Sequence, residues 1–200
     1  MFEKYACRII GVAPLILHNG QLADPLNYFA KEMKRISGKR HKTEADLEQL
    51  ARFEWHGSLY LSHGKVCIPG EVIEAHLVAA AQTQRKGRQA KAALFCDGMV
   101  PLDYDGPSAV EALWADETFR LTSAVKVKQS RVMRTRPVFP AWSLAVEVLY
   151  NPSQLNGAEI AEFVRIGGEQ IGLGDWRPRF GRYVVEDIPA AERAVAAGNA

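Results

Sequence analysis

Three cysteines, Cys7, Cys67 and Cys96, stand far apart in a chain of 200 residues. They make no C-x-x-C and no zinc-type spacing, so neither a redox dithiol nor a structural zinc site is written here. Their neighbours are apolar or small, which predicts buried free thiols in a reducing cytoplasm. No apolar run approaches the ~20 residues that a membrane helix needs. The opening Met1-Phe2-Glu3-Lys4 does not start a basic segment followed by an apolar one, so no signal peptide is read. His18, His41, His56, His63 and His76 lie singly, with no H-x-x-x-H or H-E-x-x-H. There is no G-x-S-x-G, and no G-K-[ST] to close a phosphate loop. Signatures of metal, acyl-transfer and nucleotide-hydrolysing chemistry are missing. The expectation is a non-enzyme with no metal and no cofactor.

What the chain does contain is ordinary in bulk: 48% hydrophobic and 24% charged residues with a net charge of +2, as in soluble globular proteins. A chain of this size buries about 70% of its unfolded surface and needs no staples to hold a core. The charge is segregated, however. Lys31, Lys34, Arg35, Lys39, Arg40 and Lys42 surround one acid, Glu32. Residues 118–146 carry Arg120, Lys126, Lys128, Arg131, Arg134 and Arg136 without an acid. Residues 75–96 carry Arg85, Lys86, Arg88 and Lys91, and 176–185 carry Arg177, Arg179 and Arg182, again without one. Separated signs at near-zero net charge point to a basic face and an anionic partner.

Periodicity predicts a strand over 3–13, then an irregular stretch with a basic helix reaching Ile36. Thr43 and Asp46 form a capping-box pattern that opens a helix to Trp55. A short hairpin follows over 57–61 and 65–68, turning at His63-Gly64. Next come a buried helix over 71–84, a basic loop over 85–91, and strands near 93–95 and 99–102. Residues 103–117 are acidic and turn-rich. Strands are predicted over 119–127 and 142–150, separated by a basic loop at 130–137. Asn156 caps a helix that Gly167-Gly168 should end, and a last strand spans 182–186. Without the insertions the order is βαββαβ, an α+β ferredoxin-like or RRM-like antiparallel sheet with both helices on one face. The expected organisation is one domain over 1–189, with 14–56 as a basic, helical insertion after the first strand and 190–200 as a frayed tail. The open face of such a sheet commonly binds RNA.

The most specific stretch is 171–182. Gly172, Gly174 and Gly181 permit sharp turns and close backbone approach. Arg177, Arg179 and Arg182 suit phosphates, while Trp176 and Phe180 suit splayed bases. The second stretch is 126–140, whose Lys126, Lys128, Arg131, Arg134 and Arg136 suit tracking of a nucleic-acid backbone. Lys34, Arg35, Lys39 and Arg40 of the insertion extend the candidate surface. Ile68-Pro69-Gly70 opens a helix whose free N–H groups favour anions, although Glu71 opposes one. Asp24 precedes Pro25 and is first of all a turn residue; it is the one weak catalytic candidate.

Three of these features occur in one order: Ala13-Pro14-Leu15 through His18-Asn19-Gly20, then Ile68-Pro69-Gly70, then the glycine-arginine loop closing on Phe180-Gly181-Arg182. In this the chain resembles the RAMP superfamily, the ferredoxin-like backbone subunits of CRISPR effector complexes in antiviral defence. The resemblance implies a cytoplasmic protein that oligomerises along a guide RNA and holds its backbone in a multi-subunit ribonucleoprotein. In some members an Asp in the loop after the first strand cleaves target RNA, and Asp24 stands at that place. With two departures, the resemblance implies a divergent, phage-encoded relative. Glu71 and Val72 replace two hydroxyl residues after Ile-Pro-Gly, and Asp175-Trp176-Arg177-Pro178-Arg179 enlarges the glycine loop. Two rival readings follow: an endoribonuclease of the same fold using Asp24, or a phage interaction protein docking its basic face on an acidic host protein.

Overall fold

The computed structural model describes residues 1–127 and 129–186, with Val127 by its backbone alone. Along the chain, β1 (Glu3–Gly11) and β2 (Leu15–Ile16) lead into α1 (Tyr28–Ser37) and α2 (Glu44–Ser58). Then come β3 (Leu61–Ser62), β4 (Lys65–Pro69), α3 (Gly70–Thr83), α4 (Gly87–Ala93), β5 (Leu94–Phe95), β6 (Met99–Pro101) and β7 (Asp103–Tyr104). The remainder is α5 (Val110–Ala115), β8 (Arg120–Val127), β9 (Ser130–Phe139), β10 (Trp142–Tyr150), α6 (Gly157–Ile166) and β11 (Tyr183–Glu186). These form two compact units. Among the described residues the first takes 1–15, 67–105 and 141–186, and the second takes 16–66 and 106–140, while the expected tail at 190–200 lies outside them. The second unit thus contains the expected insertion but for residues 14 and 15, and also 106–140, which periodicity alone leaves in the main body.

The first unit is built on an antiparallel sheet in the order β11-β1-β10-β5. Alternation decides its faces. Cys7 and Ile9 of β1, with Leu144, Val146 and Val148 of β10, are buried. Of these, Ile9, Leu144 and Val146 meet Ile73 and Leu77 of α3 and Val164 of α6 around one small core cavity. Each such side chain contributes roughly 1.5–3 kcal/mol on burial. Cys7, Cys67 and Cys96 are all buried free thiols, as their surroundings in the sequence predict. Burial pushes the Cys96 thiol up to about 12, which removes it from thiolate chemistry at neutral pH.

In the second unit α2 lies along the β8–β9 hairpin. The predicted capping box is present: Thr43 Oγ1 accepts from the Asp46 N–H, and Asp46 Oδ2 accepts from the Thr43 N–H. The Lys39 ammonium beside Asp46 holds its carboxyl below the ordinary range. Trp55 is fully buried and donates from Nε1 to the Phe119 carbonyl at 2.8 Å.

Four expectations need correction. Residues 85–91 are not a loop: α4 occupies most of them, because Gly87 packs on Gln82, where a Cβ would come within 2.3 Å of Cγ. Residues 130–137 are not a loop either. They are strand β9, whose ladder with β8 runs from Arg120↔Pro137 to Val127↔Ser130. The helix expected to stop at Trp55 continues to Ser58, with Gly57 in close approach to Leu22 and Phe29. Gly167-Gly168 does not stop the chain's helical path, which widens into a turn over Gly167–Ile171.

Candidate nucleic-acid interface

The glycine-arginine loop belongs to the first unit. Gly167 and Gly168 are glycines for packing. A Cβ at 167 would lie 2.5 Å from His76 Nε2 and one at 168 only 2.2 Å from the Tyr183 carbonyl oxygen. The stop comes at Gly172, at φ +77°, whose N–H donates to the Gly167 carbonyl at 2.8 Å. Gly174 and Gly181 also hold positive φ, at +80° and +70°. At Gly181 a Cβ would sit 1.8 Å from the Leu173 carbonyl oxygen. The neck is closed by Leu173 N–H to Gly181 O and Gly181 N–H to Pro14 O, both 2.8 Å.

Arg182 is committed to this loop's backbone. Its Nε donates to Pro178 O at 2.7 Å and one terminal nitrogen to Glu169 O at 2.8 Å. Arg177 and Arg179 are exposed, and Trp176 is half-buried. The Trp176 and Phe180 rings lie 6.1 Å apart, with the Arg179 guanidinium 5.8 Å from the Phe180 ring. Trp176 is held at φ +53°, a conformation that costs a bulky L-residue about 1–2 kcal/mol. Trp176, Arg177 and Gln170 line a cleft of about 550 Å³ whose far wall includes Ala79 of α3.

Beneath the loop lies a buried pair. Tyr183 donates its one hydroxyl proton to the Val164 carbonyl at 2.9 Å, so it accepts from His76 Nε2 at 2.8 Å. That fixes the proton of a neutral His76 on Nε2. Burial, and then the Arg177 charge, push His76 down to about 4, while the Gly172 backbone works the other way. Nδ1 has no hydrogen-bond partner among the described residues.

The remaining candidates fall in the second unit. Arg35 pairs with Glu32 at 2.8 Å and Lys39 with Asp46 at 2.5 Å; Lys34 and Arg40 are exposed. Arg134 and Arg136 both reach the buried carboxylate of Glu54, at 3.0 and 2.7 Å. Through Glu54 both tie β9 to α2. Lys126 and Arg131 behave differently. They are exposed cross-strand partners near the hairpin tip, and like charges directly opposite destabilise a ladder. Lys128 lies outside the described residues. Asp24 is exposed, and its Oδ1 accepts the Leu26 N–H at 2.8 Å, the turn role its position before Pro25 suggests. Asp24→Asn should therefore leave single-strand affinity and any RNA degradation unchanged. Disappearance of a cleavage activity with intact binding in gel assays would contradict this.

The open sheet face of the first unit is not basic. Lys4 pairs with Glu147 at 2.8 Å and Arg8 with Asp103 at 2.6 Å, and Ala6 and Ala145 lie between them in the register. The register also puts Glu186 opposite Arg8 on this face, so it carries no excess of positive charge. Sequence reasoning missed Glu54, the His76–Tyr183 pair and Arg120 as organising groups; each acts through a partner at least six positions away in sequence or on another element. Among the described residues no three His, Cys, Asp or Glu side chains gather, and no helix is long and apolar enough to cross a membrane. No protein-family model matches the chain and no curated protein matches its sequence, so its own geometry carries the functional reading.

Proposed function

We propose that the chain binds single-stranded nucleic acid, RNA foremost, at the loop over 171–182. The observation that carries this is a pair of exposed arginines, Arg177 and Arg179, beside a half-buried Trp176 held at positive φ over a cleft. Guanidinium groups take phosphates and the indole takes a base face. A neck closed by backbone hydrogen bonds sets the loop's shape in advance, which lowers the cost of ordering it on a ligand. The strand order β11-β1-β10-β5 supports a ferredoxin-like reading, since β1, α3, β5, β10, α6 and β11 then follow the βαββαβ path. Together with the three sequence features, that order favours a divergent RAMP-like subunit that oligomerises along its strand. An open sheet face without excess positive charge leaves the loop as the favoured anion-binding surface of this unit.

Removing both arginines, Arg177→Ala with Arg179→Ala, should weaken single-strand binding with the melting temperature intact. The line of log K against log salt should flatten by about 0.7 for each phosphate that is no longer neutralised. Trp176→Ala should weaken binding by roughly 1–3 kcal/mol with little change in that slope. An unchanged affinity and slope in the double arginine variant would sink the proposal. Light scattering with a long oligonucleotide tests the oligomer, and a strict monomer would remove that part.

A further inference from the structure

A second cleft lies wholly within the second unit and plays no part in the loop's proposed role. It measures about 350 Å³ and is lined by Glu48 and Ala51 of α2, Trp114 of α5, Glu117, Arg120 and Thr122 of β8, and Thr135 of β9. The Arg120 guanidinium lies 4.7 Å from the centre of the Trp114 ring. Trp114 is in turn fixed at 5.5 Å against the buried Trp55. The guanidinium is thus a flat plate with a rigid aromatic backing. One terminal nitrogen reaches Glu117 Oε1 at 3.3 Å, while Nε is buried and has no hydrogen-bond partner among the described residues. Nearby, Thr122 Oγ1 and Thr135 Oγ1 are 3.0 Å apart. One hydroxyl proton serves that bond, and the other is left to donate elsewhere.

We propose that this cleft takes a single splayed nucleobase, and guanine in particular. The chemistry of the lining selects it. A planar guanidinium backed by indole offers its outer face to a stacked ring, a platform on which splayed bases are read. Two carboxylates against one guanidinium leave the lining net negative, which disfavours a free phosphate or carboxylate. A basic side chain from another protein would meet the Arg120 charge, whereas a neutral base does not. Carboxylates only accept hydrogen bonds, so the preferred base has donors on its edge. Guanine alone among the four presents an N–H and an amine side by side, matching the two oxygens of Glu48 or Glu117. The one hydroxyl proton that the threonines leave free remains for its carbonyl or a ring acceptor.

Nucleosides are the right probes, because without a phosphate they do not draw on Arg177 and Arg179. Guanosine, inosine, adenosine, cytidine and uridine would be titrated into the wild-type chain by calorimetry. Inosine differs from guanosine only by the missing amine. Guanosine should saturate and bind about tenfold more tightly than inosine, as expected for a hydrogen bond to a charged group. Arg120→Lys, which keeps the charge and loses the plate, should weaken guanosine about tenfold. Arg177→Ala with Arg179→Ala should leave guanosine binding unchanged, so this cleft and the loop can fail separately. No saturation by guanosine, equal binding of guanosine and inosine, or capture of an arginine-rich peptide in their place would each overturn the proposal. The wild-type comparison stands even if an Arg120 variant does not fold.

Discussion

Glu54→Ala is expected to destabilise the chain by about 3–5 kcal/mol, the usual cost of removing one partner from a buried ion pair. Glu54 is 4% exposed and Arg136 is 6% exposed. The carboxylate accepts from Arg136 at 2.7 Å, from Arg134 at 3.0 Å and from the Thr135 N–H at 2.9 Å. Alanine would leave guanidinium groups and a backbone donor without this acceptor, one guanidinium in the interior. The effect should appear in urea unfolding as a lower midpoint at constant slope. It should also appear as faster amide exchange along β9, the strand that the carboxylate ties to α2. A change below about 1 kcal/mol would mean that the three donors find other acceptors. The same geometry separates the hairpin's cations by role. Arg134→Ala should act on stability, whereas Lys126→Ala and Arg131→Ala should act on the salt dependence of the proposed nucleic-acid binding.

Acid is expected to remove roughly 3 kcal/mol of stability through His76 alone. Its folded-state value, pushed down to about 4, lies below the ordinary 6.5 of the exposed ring. Each unit of difference is worth about 1.4 kcal/mol. Between pH 6.5 and pH 4 the unfolded chain binds a proton that the folded chain refuses. Stability therefore rises with pH in that window, is complete above it, and has lost this contribution below it. The cause is geometric: an imidazolium would have to sit among Ile73, Leu77, Leu144 and Val164 with Arg177 nearby. His76→Gln removes the ionisable ring. Its unfolding midpoint should be lower at neutral pH but should fall less steeply on acidification. Parallel curves for the two proteins would show that other groups carry the acid response.

Much of the fold was legible because local chemistry and tertiary packing agree there. The capping box at Thr43, the helix cap at Asn156, the turn at His63-Gly64, and the alternation in β1 and β10 each follow from a few adjacent residues. What was not legible turns on partners far along the chain. Gly57 and Gly167 look like helix breakers, yet each stays helical or nearly so because a side chain from elsewhere presses on its missing Cβ. Arg134 and Arg136 look like phosphate ligands because Glu54, some 80 residues earlier, cannot be seen beside them. The glycine-arginine loop was legible as an unusual segment. Its division of labour, with Arg182 bracing and Arg177 and Arg179 exposed, is set by where the folded backbone places its carbonyls.

The interleaving of the two units bears on how the chain acquires its structure during synthesis. Strand β1 is made almost first, yet both of its neighbours in the sheet arrive late; its Cys7 stands opposite Val146, about 140 residues onward. At ordinary translation rates that is a wait on the order of 10 s, during which Ile9 and Cys7 have no sheet to join. Pairings this distant in sequence also slow the folding step itself, because loop closure must precede any reward from contact. A ribosome-stalled chain ending near residue 140 would carry β1 without β10 or β11. Limited proteolysis should cut it within residues 3–11, a segment that the completed sheet protects.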